Sequence, residues 1–195
     1  MPMPDYSPGR IRVVRLLAAD IHVAALLVGL DVAARLLPHA PDFTPVAATA
    51  LFAASVLRFR TLSIFVPLAG MVVADAVLGF YDLRVMMAVY ATLALPAVAG
   101  CLSHRLRRPW MVVPVLLSSS LTFFAMTNFA VWAFSPLYAA NAGGLIKCYV
   151  AALPFLQNMI VGDLFWGIVL FGGYALLDNS RLTKAKEPRA VAISV

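Results

Sequence analysis

A chain of 195 residues with 63% hydrophobic and 12% charged residues, at a mean hydropathy of +0.91, is too apolar for a soluble domain, which carries roughly 45–50% apolar and about 25% charged residues. Its surface belongs in lipid, and no stretch is left for a separate water-facing domain. The net charge of +6 sits at helix ends rather than along one face, so it reads as membrane orientation and no nucleic-acid partner is expected.

Residues 1–15 read as a cytoplasmic N-terminal segment with Arg10, Arg12 and Arg15. The apolar run behind them continues to Leu37, is interrupted by Asp20, His22 and Asp31, and has no small-residue cleavage site. It is therefore expected to be a retained first helix over 16–37 rather than a secretion signal. Ala25, Gly29 and Ala33 repeat every four positions along it, a spacing that lets helices approach closely. Thr44 and Pro45 start a second helix over 45–58 as N-cap and first-turn proline. That helix rises only about 21–24 Å; snorkelling Arg58 and Arg60 extend its reach, and a re-entrant hairpin is the rival reading. Ala50 and Ala54 repeat the small-residue spacing there.

Further spans are expected at 61–80, 84–103, 110–134 and 157–178. Between the last two, residues 135–156 mix Pro136, Asn141, Gly143, Gly144 and Pro154 with Tyr138, Tyr149 and Phe155, which suggests an outer loop with a short interfacial helix, forming a lid. Residues 179–195 read as a polar cytoplasmic tail. No internal repeat supports two equal halves.

Six crossings put Arg10, Arg12, Arg15, Arg58, Arg60, Arg105, Arg107, Arg108, Arg181, Lys184, Lys186 and Arg189 on one side, leaving Arg35, Arg84 and Lys147 on the other. The positive-inside rule makes the first side cytoplasmic, with both termini there. The expected fold is thus an all-α integral membrane protein, a six-transmembrane-helix bundle over residues 16–178. Cys101 and Cys148 fall at opposite faces, have no metal-ligand spacing and are not expected to pair.

Ionisable groups inside spans are costly, so their depth is informative. Asp31, Asp75 and Asp163 fall about 22–24 Å from their cytoplasmic helix ends, Tyr90 about 21 Å and Asn128 about 30 Å. Above them lie His39, Asp42, Tyr81, Asp82, Tyr138, Lys147 and Tyr149. The common depth suggests one hollow open to the outside. Each member also has a structural reading. Asp31 and Arg35, four apart, would neutralise each other; Asp75 would serve packing; Asp163 would suit the helix dipole near the start of helix 6. Asn128 and Trp132 would be interfacial, as would Asp20 and His22.

Enzyme chemistry is not expected: there is no Gly-x-Ser-x-Gly, His-Glu-x-x-His or Walker loop, and Ser118, Ser119 and Ser120 form a polar run without an evident base. No metal or cofactor is expected. His104 with Arg105, Arg107 and Arg108 reads as an anchor to anionic lipid.

Three segments carry a resemblance. They are Leu37-Pro38-His39-Ala40-Pro41-Asp42-Phe43-Thr44-Pro45-Val46-Ala47-Ala48; Pro67-Leu68-Ala69-Gly70-Met71 with Asp75 and Gly79; and Thr127-Asn128-Phe129-Ala130-Val131-Trp132 with Cys148, Tyr149, Pro154, Phe155, Asn158, Gly162 and Asp163. Over roughly residues 15–178 the chain resembles a family of small uncharacterised bacterial membrane proteins. That family is itself similar to the substrate-binding S components of energy-coupling-factor vitamin transporters. The resemblance implies an S-component-like bundle in the bacterial inner membrane that binds a vitamin-like molecule from outside. It also implies an ATPase-driven coupling module docking on the small-residue face of helix 1, here Ala25, Gly29 and Ala33. Solitary cobalamin S components are similar in size, and one group uses a cysteine near the end of helix 3 or the start of helix 4. This chain has Tyr81-Asp82-Leu83-Arg84-Val85-Met86 there, so a corrinoid substrate lacks that ligand.

The expected function is a substrate-binding membrane subunit for uptake of a vitamin or related micronutrient. Its expected binding residues are His39, Phe43, Asp75, Tyr81, Tyr90, Asn128, Trp132, Tyr149, Asn158 and Asp163. A structural or assembly subunit of a membrane complex is one alternative, and a lipid-acting membrane enzyme using Asp75, Asp163 and His39 is another.

Overall fold

In bilayer the backbone must satisfy its own hydrogen bonds, which restricts an apolar chain of this length to helices or a closed barrel. The computed structural model describes residues 8–102 and 108–178, with side chains from Val13 onward, and there the chain is helical without strands. The expected anchor at His104, Arg105 and Arg107 and the tail 179–195 lie outside the described residues, as do residues 1–7 and the side chains of Arg10 and Arg12.

Six helices follow in chain order: α1 Pro8–Leu36, α2 Val46–Val56, α3 Thr61–Leu78, α4 Leu83–Leu102, α5 Val112–Phe134 and α6 from Ala142. A single 3-10 turn, Pro109–Met111, leads into α5. Five of the helices are long and apolar enough to cross a membrane. The exception is α2. Its 11 residues rise only about 16 Å, against a hydrocarbon core of roughly 30 Å, so the expected span over 45–58 is shorter than drawn from sequence. It is apolar on every side, and Val46 to Ala54 are all buried. A helix with no polar face belongs inside the bundle, and α2 packs against all five others.

The directions of the helices are fixed by polar contacts at several depths. Asp20 accepts hydrogen bonds from the backbone N–H groups of Arg58 and Phe59, both at 2.8 Å. Gly70 abuts Asp31, and Arg35 meets Asp75. The offset stays at 38 to 40 residues, so α1 and α3 run parallel and in register. The chain must therefore return through the bundle between them, and residues 46–59 run antiparallel to α1, with Thr49 at Asp31 and Phe59 at Asp20. Helices α3 and α4 are antiparallel, joined at one end by Tyr90 to Asp75 and at the other by Ser63 and Cys101. Helices α5 and α6 are antiparallel as well.

Gly70 is where α1 and α3 touch: a Cβ there would stand 2.8 Å from that of Asp31. Gly79 ends α3 at φ 104°, a conformation that side chains resist. Asp82 then starts α4 by accepting the N–H groups of Arg84 and Val85.

The expected lid over 135–156 is not an irregular segment. Asn141, in extended conformation, accepts the Gly144 N–H at 2.8 Å and starts α6 at Ala142. The helix runs through Pro154 and a turn of π geometry at Ile168–Gly172 to Asp178. At 37 residues it is about 55 Å long, well beyond the hydrocarbon thickness. Only residues 135–141 remain a loop, tied down by the Trp132 indole N–H donating to the Ala139 carbonyl at 3.0 Å. Asp163 consequently lies deep within α6 rather than near its start, so the macrodipole explains nothing about it.

Candidate functional site

The expected single hollow does not form, because most of the polar groups satisfy one another in separate pairs. Asp31, fully buried, accepts the Thr49 hydroxyl at 2.9 and 3.0 Å. It does not pair with Arg35 on its own helix; α2 takes its carboxylate. Arg35 instead reaches across to Asp75, with Nη2 to Oδ1 at 2.9 Å. The Tyr90 hydroxyl donates to the other Asp75 oxygen at 2.8 Å. Asp75 is 1% exposed, and both its oxygens are occupied by protein. Tyr81 lies in the short turn above. Its phenol is pushed up to about 12 by desolvation and by the Asp75 charge, against the pull of Arg35. Asp20, expected at the interface, is buried and braces the turn into α3.

The α5–α6 end is knit in the same way. Asn128 donates to the Phe124 carbonyl at 2.8 Å, Cys148 to the Asn128 carbonyl at 3.4 Å and Tyr149 to the Ala125 carbonyl at 2.5 Å. Asn128, Trp132 and Tyr149 are thus engaged with backbone rather than facing a pocket, and Asn158 is half-buried on α6. Both cysteines are free. His39 and Phe43 line a shallow depression with Leu30, Ala33, Ala34, Leu37 and Trp166. Ala25, Gly29 and Ala33 are exposed on α1, and a Cβ on Gly29 would meet nothing within 4 Å.

One small, partly enclosed cavity with polar and apolar walls is found among the described residues, of about 40 Å³, bounded by Arg35, Asp42, Thr44, Ala47, Val89, Thr92, Leu93, Pro96, Ser119, Ser120, Phe123, Met159 and Asp163. It lies beneath the turn between α1 and α2. Phe43 anchors that turn to α6, its ring 5.6 Å from that of Phe165 and its backbone against Gly162. Asp42, next to it, adopts φ 61°, a conformation aspartate accepts more readily than most residues. Although Asp42 is exposed as a residue, desolvation at the cavity mouth raises its carboxyl pKa, opposed by Arg35 and His39. At the floor, Asp163 is 3% exposed and accepts the Ser120 hydroxyl at 2.6 Å.

Of the expected binding residues, only Asp163 lines this cavity. Asp75 and Tyr90 support it from behind through Arg35; His39, Phe43, Tyr81, Asn128, Trp132, Tyr149 and Asn158 stand apart from it. Thr92, Ser119 and Ser120 were not legible as site residues, since hydroxyls in membrane helices usually bond their own backbone. The Thr92-x-x-x-Pro96 spacing was the available signal. His39 is not brought together with Asp75 or Asp163 in that lining, so the acid–base group imagined for a lipid enzyme is not assembled there. Among the described residues no three His, Cys, Asp or Glu side chains are grouped to hold a metal.

A multi-pass helical membrane protein with a polar cavity buried among its helices is the class that these features define. A family described as one of unknown function (DUF6580) matches residues 16–187, and the chain belongs to that family. No curated protein and no solved structure matches it.

Proposed function

We propose that this protein is the substrate-binding membrane subunit of a micronutrient uptake system, similar to the S components of energy-coupling-factor transporters. In this reading the chain crosses the inner membrane of a bacterium six times, with both termini in the cytoplasm and the α1–α2 turn at the outer face. The observation that carries the reading is the cavity itself. Charged and hydroxyl groups from α1, α4, α5 and α6 converge at membrane depth on a space they do not fill, whereas polar groups kept only for packing fill each other's hydrogen bonds.

At about 40 Å³ the closed cavity admits roughly three water-sized groups. A vitamin-sized molecule enters only when residues 38–44 lift from α6, which makes the Phe43 contact the latch. The small volume favours a compact substrate over a corrinoid. The open small-residue face at Ala25, Gly29 and Ala33 suits a coupling module.

The test is mass spectrometry of the purified protein for a co-purified small molecule, with a thermal-shift screen of vitamins, since a tight ligand stabilises by mass action. Ligand stabilisation is expected in the native protein and absent in Thr92→Leu, which fills the cavity. The mutually bonded Asp75–Tyr90 and Asp31–Thr49 groups favour a second reading, a structural subunit. A stoichiometric membrane partner without an ATPase, together with no ligand in either assay, would establish it and refute uptake.

A further inference from the structure

The hydrogen bonds around the cavity specify which chemistry it can take. A carbonyl oxygen only accepts, so a hydroxyl bonded to one must donate its single proton there. Ser119 donates to the Val115 carbonyl at 2.8 Å, and Thr92 donates to the Ala88 and Val89 carbonyls at 2.8 and 2.9 Å. Ser120 shares its proton between the Leu116 carbonyl and Asp163. Of the four hydroxyls in the lining, those of Thr92, Ser119 and Ser120 therefore have only lone pairs left for the cavity; the fourth, Thr44, belongs to the α1–α2 turn. Asp163 adds a carboxylate whose sole hydrogen-bond partner among the described residues is Ser120. Arg35, the one cation in the lining, sits 2.9 Å from Asp75 through Nη2, while its buried Nε has no hydrogen-bond partner among the described residues and offers a donor at the end of the cavity toward the α1–α2 turn. Asp42 at the mouth shares the fields of Arg35 and His39, but among the described residues no cation pairs with Asp163.

Around Asp163 the free positions are lone pairs beside a carboxylate without a cationic partner, an environment that repels an anion and leaves a neutral acceptor without a donor; the Arg35 Nε serves an acceptor group nearer the α1–α2 turn. It is completed by a positively charged N–H donor. Resting on the uptake reading above, we propose that the cavity holds the cationic nitrogen group of the substrate, an amine or amidine in protonated form. That group sits between Asp163 and the oxygens of Thr92, Ser119 and Ser120. Its size matches the space, and Phe123 and Met159 supply soft walls that a cation tolerates. The rest of the substrate extends past Arg35 and Asp42 toward the α1–α2 turn.

The experiment is a thermal-shift and calorimetric titration of the full-length protein in detergent, at constant ionic strength. The probes are methylammonium, sodium and acetate, followed by a vitamin panel sorted into cationic members (thiamine, pyridoxamine) and anionic ones (biotin, pantothenate). Methylammonium and a cationic vitamin are expected to raise Tm. Asp163→Asn keeps the size and the Ser120 contact, and is expected to weaken that binding by at least about tenfold, as loss of a charge-assisted hydrogen bond does. Asp82→Asn, on the outer turn, is expected to leave it unchanged. Should Asp163→Asn not fold, Ser119→Ala is expected to weaken cation binding while leaving the unliganded Tm near its native value. Stabilisation by anionic vitamins that survives Asp163→Asn overturns the cation assignment and leaves the uptake reading standing. A shift with sodium alone, lost in Asp163→Asn, overturns it in favour of a bound inorganic ion. No shift with any probe and no co-purified molecule defeats the uptake reading itself.

Discussion

Arg35 is the residue on which most of the buried electrostatics turns. It forms a salt bridge with Asp75 and neutralises it while bordering the cavity. Removing one member of a buried pair leaves an uncompensated charge, costing about 3–5 kcal/mol. Asp75→Leu is therefore expected to lower Tm sharply in detergent, and the double variant with Arg35→Leu to recover most of the loss. If Asp75→Leu alone leaves Tm in place, the pair is not formed. Tyr81 yields a pH prediction of definite sign. With its phenol pushed up to about 12 from the ordinary tyrosine value of 10.0, the folded protein keeps this proton after the unfolded chain has lost it. The unfolded state then binds fewer protons, so stability falls as pH rises from about 10 to about 12. Tyr81→Phe is expected to flatten that fall in alkaline melts. Reading these residues from sequence failed for partnership. Asp31 and Arg35 satisfy the i, i+4 rule, yet Thr49 and Asp75 outcompete that pairing because each offers a buried partner of fixed geometry.

Among the elements, α2 and α1 use small residues in opposite ways. Ala48, Ala50, Ala53 and Ala54 are completely buried, so α2 lies close to its neighbours on every side. Ala25, Gly29 and Ala33 show the same spacing on an open face of α1. Overpacking a filled core costs about 1–3 kcal/mol. Ala53→Leu is expected to lower Tm, and Ala25→Leu to leave it unchanged in the isolated protein; equal effects would contradict this arrangement. Identical local patterns thus give different outcomes, because which face of a helix meets protein is decided by its neighbours. The same holds for α6. Gly143, Gly144 and Pro154 resemble loop signals, but Asn141 caps the helix and the bilayer setting tolerates proline within it.

For the whole molecule, the constant offset between α1 and α3 requires a return passage through α2, although α2 is too short to span alone. The proposed six crossings need this return, and labelling tests them. In a background without Cys101 and Cys148, Leu137→Cys is expected to react with an impermeant maleimide on intact cells. Thr61→Cys is expected to react only after permeabilisation. Labelling of both from outside would remove the proposed topology and, with it, an outward-facing cavity.

Sequence alone determined that this chain is an apolar, helical membrane protein and roughly where α2, α3, α4 and α5 begin, because hydropathy, proline and capping act within a few residues. Tertiary structure alone decided that Arg35 serves Asp75, that α2 is the buried centre, and that Thr92, Ser119, Ser120 and Asp163 share one space. Such partners lie tens of residues apart, and only the rotation and register of packed helices bring them face to face.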